Sequence, residues 1–241
     1  MNPMTDSIAS RAAALVSGLT ASLYVAARGI LPALCAALVL QATPNLAAAA
    51  TLTMAAVDKN GVPMPDVVVY ATQVGMPANA DVTGPPETVT IAQERMQFSP
   101  YVTVARTGTP IRFPNYDKLE HHVKSFSPAK EFEIKVYESG TPPPVLFDKP
   151  GVVVVYCLLH EWMRAYVLVV ETPHFSKTDI TGSASLNGLR EGTWEIRAWY
   201  PDMGTIKQPL LQTVKVQDKV ALAPLQFNFD FVPRKRRAAK S

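Results

Sequence analysis

The chain has 241 residues, of which 48% are apolar and 18% are charged, and its formal net charge is +3. This length allows one or two domains, and the apolar fraction is ample for a core. Five of the basic residues lie in the last eight positions, whereas residues 51–233 carry 16 basic and 19 acidic side chains, a balance of −3. The remaining basic residues are scattered and not interleaved with aromatic ones, which argues against nucleic-acid recognition.

The first fifty residues predict a secretory signal. Arg11 and Arg28 are their only basic residues, and an apolar run from Ile30 to Leu40 follows. The alanines at 48–50 offer small-residue cleavage positions. The apolar run is short for a membrane span, so we expect a cleaved signal rather than an uncleaved anchor. The mature chain would then begin near Thr51, in the periplasm or an equivalent exported location.

The number and position of the cysteines bear on the role of Cys157. Cys35 lies inside the predicted signal, and Leu34 stands where the small residue of a lipoprotein site is expected. Removal of the signal leaves Cys157 as the sole cysteine, which excludes an internal disulfide. We therefore expect Cys157 to be either a metal ligand or a small buried apolar side chain.

The mature region predicts an all-β sandwich. The chain has 21 prolines, turn signals such as Asn60-Gly61, and short β-branched and aromatic runs, and it shows no stretch with a helical period. The predicted strands are Thr51 to Val57, Val67 to Gln73, Thr88 to Gln93, Tyr101 to Ala105, Pro110 to Phe113, His121 to Phe126, Phe132 to Val136, Val152 to Cys157, Ala165 to Val170, Thr193 to Tyr200, Gln212 to Val216 and Leu225 to Phe231.

The stretch Gly151 to Val170 contains the most informative motif. Cys157, His160 and Met163 follow one another at intervals of three residues, between two runs typical of buried strands. A hairpin loop of this kind can wrap one metal ion. A thiolate, an imidazole and a thioether are ligands that select copper, and a trigonal site with two histidines, one cysteine and a weak axial methionine is the blue-copper pattern.

One histidine is missing from that set. His174 follows a proline beyond the hairpin, which favours a surface loop, so the second histidine is His121 or His122. Side chains alternate along a strand, and Val123 favours the core whereas Lys124 favours solvent. This phase places His121 inward, although His122 stays an alternative.

Two segments resemble the ligand segments of the cupredoxins, the family that includes plastocyanin, amicyanin and azurin. They are Asn115 to Ser127 and Gly151 to Val170, and residues 86–172 as a whole are similar to plastocyanin-like proteins associated with methylamine utilisation. The resemblance implies a Greek-key β-sandwich with one type 1 copper, Cu(II) or Cu(I). The ligands it implies are His121, Cys157, His160 and, in the long axial position, Met163.

Two residues depart from the family pattern. His122 stands where the family commonly has an asparagine that braces the ligand loops, and Leu159 stands where plastocyanin and amicyanin have proline. We expect ligation to survive both changes, with an altered reduction potential and loop rigidity.

The segments on either side suggest a second small sandwich. Residues 57–70 and 178–200 resemble the opening and the middle of a carboxypeptidase regulatory-like, or transthyretin-like, domain. We therefore predict that the copper domain is inserted into a discontinuous accessory domain, the alternative being one larger cupredoxin with extra strands. The predicted divisions are 1–50 signal, 51–85 first accessory part, 86–172 copper domain, 173–232 second accessory part and 233–241 a basic disordered tail.

These observations predict an electron carrier, not an enzyme, that serves an unidentified redox protein such as a dehydrogenase or cytochrome. We expect no nucleic-acid partner and no membrane span after signal cleavage. Leu158, Leu159 and Trp162 would either form an apolar docking patch or pack the loop. The alternatives are copper storage or delivery, a cupredoxin-fold module without a redox role, and a Cys157/His160 hydrolase.

Overall fold

The computed structural model describes residues 50–217 and 220–236. Residues 1–49 of the predicted signal, which include Cys35, and the last five residues of the predicted tail lie outside this range. Among the described residues, no helix has the length and apolar character that a membrane span needs.

Seventeen strands are present in the described part of the chain, and the predicted all-β fold is confirmed. In chain order they are β1 (Ala50–Val57), β2 (Val68–Gln73), β3 (Val89–Thr90), β4 (Ala92–Glu94), β5 (Gln97–Ser99), β6 (Val102–Arg106), β7 (Thr109–Arg112), β8 (His121–Ser127), β9 (Lys130–Tyr137), β10 (Val145–Phe147), β11 (Gly151–Tyr156), β12 (Arg164–Val170), β13 (Phe175–Lys177), β14 (Ser183–Leu189), β15 (Gly192–Trp199), β16 (Leu210–Val216) and β17 (Leu225–Asn228). A turn of 3-10 helix, Pro201–Met203, lies between β15 and β16.

A five-stranded sheet, in the order β6-β12-β11-β8-β9, carries the metal-binding motif. Strand β12 lies parallel to β6 and antiparallel to β11, and β11 and β9 both run antiparallel to β8. One face of this sheet and the three-stranded sheet β10-β7-β3 contribute to a common core, in which Phe113, Phe147, Val153 and Val167 are fully buried.

The sequence of strand β12 is almost entirely apolar after Arg164 because both faces of the strand are buried. Ala165, Val167 and Val169 belong to the core just described, whereas Tyr166 and Leu168 belong to a second core. The alternation of a strand thus supplies side chains to two cores at once.

The second core is built by two further sheets, in the orders β14-β1-β17 and β13-β2-β15-β16. Trp194 and Trp199 are its largest fully buried side chains. Strand β1 pairs with β14 and β2 pairs with β15, so strands from before and after residues 86–172 share sheets. The insertion hypothesis requires this pairing. The exact domain boundaries stay a prediction.

Candidate metal centre

His121 begins β8 with its side chain directed into the core. His121, Val123 and Ser125 are each 0% exposed, whereas Phe126 is 60% exposed. The inward face is the one expected from the sequence, although His122 on the opposite face is also buried, with 6% exposed. A β-bulge in β9 accompanies it: the register with β8 shifts by one residue between His121 and Val123.

Cys157, His160 and Met163 lie on the loop that joins β11 to β12. The backbone N–H of Met163 donates to the carbonyl of His160 at 2.8 Å, and that of Cys157 donates to the carbonyl of Met163 at 3.2 Å. These two bonds close the loop tightly. Cys157 and Met163 are buried in the same core cluster, whereas His160 is half-buried.

The structure brings His121, Cys157 and His160 together. Sγ of Cys157 lies 3.8 Å from Nδ1 of His121 and 3.6 Å from Nδ1 of His160, and the three donor atoms lie within 4.8 Å of one another. An ion of the size of zinc bonds sulfur at about 2.3 Å and imidazole nitrogen at about 2.0 to 2.1 Å, so with tetrahedral to trigonal angles a sulfur and a nitrogen that share it are about 3.5 to 3.8 Å apart. The group therefore has the spacing of ligands that share one metal ion.

The surroundings of Cys157 favour the thiolate form that binds metals. Burial alone would raise the pKa of the thiol, but hydrogen bonding with the ring of His121, the backbone N–H of His122, the ring of His160 and the backbone N–H of Leu159 lowers it to about 6. The backbone N–H of His122 lies 3.5 Å from the sulfur. The charge of the ligand is thus already stabilised by the protein.

Asp117 is a member of the centre that the sequence reasoning missed. Its Oδ2 atom lies 2.8 Å from Nε2 of His121. The backbone N–H groups of Arg95 and Met96 donate to the same carboxylate at 2.6 and 2.9 Å. Although burial opposes it, the bonds from Met96, His121 and Arg95 hold the pKa of Asp117 below its usual value.

This contact fixes the orientation of the His121 ring. When Nε2–H donates to the carboxylate, Nδ1 presents its lone pair toward Cys157. The pKa of His121 is raised because Cys157 and Asp117 together outweigh burial, which acts in the opposite direction. The sequence offered one signal of this arrangement, a carboxylate four residues before the histidine.

Asn115 braces the segment that precedes His121. Its Nδ2 donates to the carbonyls of Leu119 and Glu138, both at 2.8 Å, and its Oδ1 accepts from the backbone N–H of Asp117 at 2.9 Å. The turn that carries Asp117 is thereby tied to the end of β9.

His122 lies outside the donor group. Its Nε2 faces Oε1 of Glu133 at 2.9 Å, and its buried Nδ1 has no hydrogen-bond partner among the described residues. Glu133 also binds Lys124 at 3.3 Å. The ring of His122 therefore belongs to a polar cluster of its own, and His121 is the histidine that faces Cys157.

The surface next to His160 is partly apolar. Leu158 and Leu159 are 56% and 49% exposed. The ring of Trp162 lies 5.4 Å from that of His160, and its Nε1–H donates to the carbonyl of Met96 at 3.1 Å. Of the three residues expected to form an apolar patch, the two leucines are exposed and the tryptophan is partly buried.

A histidine at the start of a buried strand, facing a Cys-His-Met hairpin loop in a β-sandwich, defines a cupredoxin-like fold with a side-chain group able to bind copper. No protein-family model and no curated protein sequence matches the chain.

Among solved structures, the chain is similar to an amicyanin variant with Cu(I), with 15% identity and a TM-score of 0.32 over 42% of this chain and 98% of that chain. An oxidised amicyanin variant has 14% identity and a TM-score of 0.32 over the same shares. A purple cupredoxin from Nitrosopumilus maritimus has 22% identity and a TM-score of 0.30, over 34% of this chain and 98% of that one. Because this similarity is low, we interpret the centre only from its own residues and their geometry.

Proposed function

We propose that this protein is an exported mononuclear type 1 copper protein that carries single electrons between redox partners. The observation that carries the proposal is the group formed by His121, Cys157 and His160, with Nδ1 of the two histidines 3.8 and 3.6 Å from the Cys157 sulfur and one donor atom of each residue within 4.8 Å of the others. Met163, buried on the same loop, is the proposed axial ligand. Copper bound by this donor set supplies one-electron chemistry between Cu(II) and Cu(I).

The protein contributes rigidity to this function. Asp117 orients the ring of His121, and the backbone N–H of His122 contacts the sulfur of Cys157. The closed loop fixes His160 and Met163 relative to Cys157. Because each donor is held before an electron arrives, little of the chain has to move when one does, and this favours rapid transfer.

Exposure in the centre favours a carrier over a storage or delivery protein. His121, Cys157 and Met163 are at most 2% exposed, and His160 alone of the four reaches the surface in part. A metal that must be released needs a route for incoming ligands, whereas an electron needs only one exposed ligand edge. Burial of Cys157 also disfavours a hydrolase, since a substrate would have to reach its sulfur.

The first test is spectroscopic. The purified protein with Cu(II) should show intense thiolate-to-copper absorption in the visible range, and Cys157→Ser should remove it. A protein that stays colourless with added copper would refute the proposal. Reversible one-electron cycling at an electrode separates a carrier from a storage protein, which has no need to cycle.

Export is tested separately by cell fractionation. The full chain should appear in the periplasmic fraction, and a chain without residues 1–50 should stay in the cytoplasm. Recovery of the full chain from the cytoplasm would contradict this part of the proposal.

A further inference from the structure

A basic cavity opens beside the metal loop. Its volume is about 250 Å³. Four basic and two acidic residues lie on its walls: Arg164, Arg234, Lys235, Arg236, Glu161 and Asp202. Three of the four basic residues come from residues 234–236, so the first part of the predicted tail supplies most of the positive charge beside a body that carries more acidic than basic side chains.

The first part of the predicted tail forms one wall of this cavity because two of its arginines are anchored to the body. Asp202 accepts from the backbone N–H of Arg234 at 2.7 Å and from its Nε at 2.8 Å. Arg236 pairs with Asp66 at 3.3 Å, and its guanidinium lies 4.3 Å from the ring centroid of Tyr101. These contacts hold residues 234–236 against the body.

The anchoring also decides which charges face a ligand. Asp202 offsets Arg234, and Asp66, which also binds Lys177 at 2.8 Å, offsets Arg236 in part. Arg164 and the exposed Lys235 therefore supply most of the charge available to an incoming anion. Glu161 also lies on the wall, and among the described contacts it forms no ion pair with an arginine. The cavity thus remains positive overall.

The cavity is also close to the metal centre. Trp162 lines it, and the ring of Trp162 lies 5.4 Å from that of His160. Arg164 directly follows Met163 in the chain. A molecule seated in the cavity would therefore lie one aromatic ring away from the half-exposed histidine of the centre.

We propose that this cavity receives carboxylate groups from an acidic redox protein and aligns that partner beside His160. The proposal rests on the electron-carrier function and adds the docking surface and the chemical class of the partner. Complementary charge steers encounter and fixes orientation, and its effect falls as salt screens it. A concave site next to a metal ligand fits a protein side chain, whereas an anionic membrane would meet the convex surface.

The test uses two oxidants of opposite charge on the copper-loaded Cu(I) protein. Hexacyanoferrate(III), a trianion, and tris(phenanthroline)cobalt(III), a trication, each accept one electron, so that Cu(I) becomes Cu(II) while Fe(III) or Co(III) becomes Fe(II) or Co(II). At low ionic strength, Arg164→Gln and Lys235→Gln should each slow the reaction with hexacyanoferrate(III) about tenfold, the Coulomb effect of one charge on a trianion at ~10 Å in water. The rate with the cobalt complex should stay the same or rise.

The controls separate the docking surface from general charge. Lys215→Gln removes an exposed lysine from β16, which does not line the cavity, and should leave both rates nearly unchanged. Poly-L-glutamate should inhibit oxidation of the unmodified protein by hexacyanoferrate(III), and the Arg164→Gln/Lys235→Gln double variant should resist this inhibition.

Three outcomes overturn the proposal. If both oxidants react but neither cavity substitution changes the rate with hexacyanoferrate(III), the docking surface fails and the electron-carrier function stands. If phosphatidylglycerol vesicles bind the protein through Arg164 and Lys235 while poly-L-glutamate has no effect, the surface belongs to a membrane. If neither oxidant reacts, both proposals fail together.

Discussion

Nε2 of His121 lies 2.8 Å from Oδ2 of Asp117, a carboxylate that also accepts the backbone N–H groups of Arg95 and Met96. The hairpin of β4 and β5 therefore fixes the carboxylate, and the carboxylate fixes the histidine ring. One ring nitrogen is committed to this contact, so the other is free to bind a metal.

Asp117→Asn tests this relationship. Asparagine has nearly the same shape but no charge, so the imidazole loses its strong acceptor and becomes a weaker ligand. Loss of such a partner commonly costs 10- to 100-fold in metal affinity, and we expect a decrease of about that size for Cu(II). Titration against a competing chelator measures it.

Asp148→Asn is the matched control for this experiment. Asp148 pairs with Lys130 on the surface and is 49% exposed, with no contact to the donor group among the described residues. We expect it to leave copper affinity unchanged. Equal affinity in Asp117→Asn and the unmodified protein would show that the carboxylate does not position the ligand.

The neighbouring histidines provide a second prediction. His121→Ala removes a donor that faces Cys157 and should abolish the visible absorption of the copper-loaded protein. His122→Ala should retain the absorption with a small shift, because its ring contacts Glu133 while the backbone N–H that faces the sulfur is kept. The opposite pattern in absorption spectra would transfer the ligand role to His122.

Local periodicity predicted much of this arrangement. The alternation of His121, Val123 and Ser125 gave the inward face of β8, and the spacing of Cys157, His160 and Met163 gave the hairpin loop. Both features depend on residues close in sequence, for which strand geometry alone decides the direction of a side chain.

Features that depend on tertiary contacts were not predictable in the same way. Asp117 reads as an ordinary turn residue, and its role arises only when the β4–β5 hairpin, some twenty residues earlier, folds against it. Strand β14 was missed because Ser183–Leu189 contains, besides two leucines, only serine, alanine, asparagine and glycine, and it lacks the β-branched and aromatic residues typical of strands. Its pairing with β1, distant in sequence, stabilises it as a strand.

A glycine in the turn just before β14 gives a stability prediction. Gly182 has φ +74, and a Cβ there would lie 2.7 Å from the carbonyl oxygen of Ala56 and 3.0 Å from the backbone nitrogen of Met64. Backbone atoms cannot move aside cheaply, so Gly182→Ala should lower the free energy of unfolding by about 2 to 4 kcal/mol.

Gly61→Ala is the control for Gly182→Ala. Gly61 has a similar φ of +79, but nothing lies within 4 Å of the added carbon. It should therefore show only the backbone strain of about 1 to 2 kcal/mol. Equal losses for the two variants in urea denaturation would mean that the contact with Ala56 has no effect.

Tyr137 gives the pH prediction. Its hydroxyl donates to the carbonyl of Phe113 at 2.6 Å, and burial, aided by the charge of Cys157 and opposed by a hydrogen bond from Gln93, raises its pKa to about 12. A tyrosine of the unfolded chain ionises near pH 10. The folded state therefore prefers the neutral phenol, so this contribution to stability is complete below about pH 10 and is lost as the pH rises toward 12.

The measurement is urea denaturation of the unmodified protein and of Tyr137→Phe between pH 8 and 12. At pH 8 the variant should be less stable by about 1 to 3 kcal/mol, the usual value of two hydrogen bonds, since both the bond to Phe113 and the bond from Gln93 are lost. Above pH 10 the stability of the unmodified protein should fall more steeply with pH, because the Tyr137 phenol loses its proton in the unfolded chain but keeps it in the folded chain. Other tyrosines, such as Tyr200, contribute equally to both curves. Parallel curves across this range would contradict a raised pKa at Tyr137, because the phenol would then ionise alike in the folded and unfolded chains.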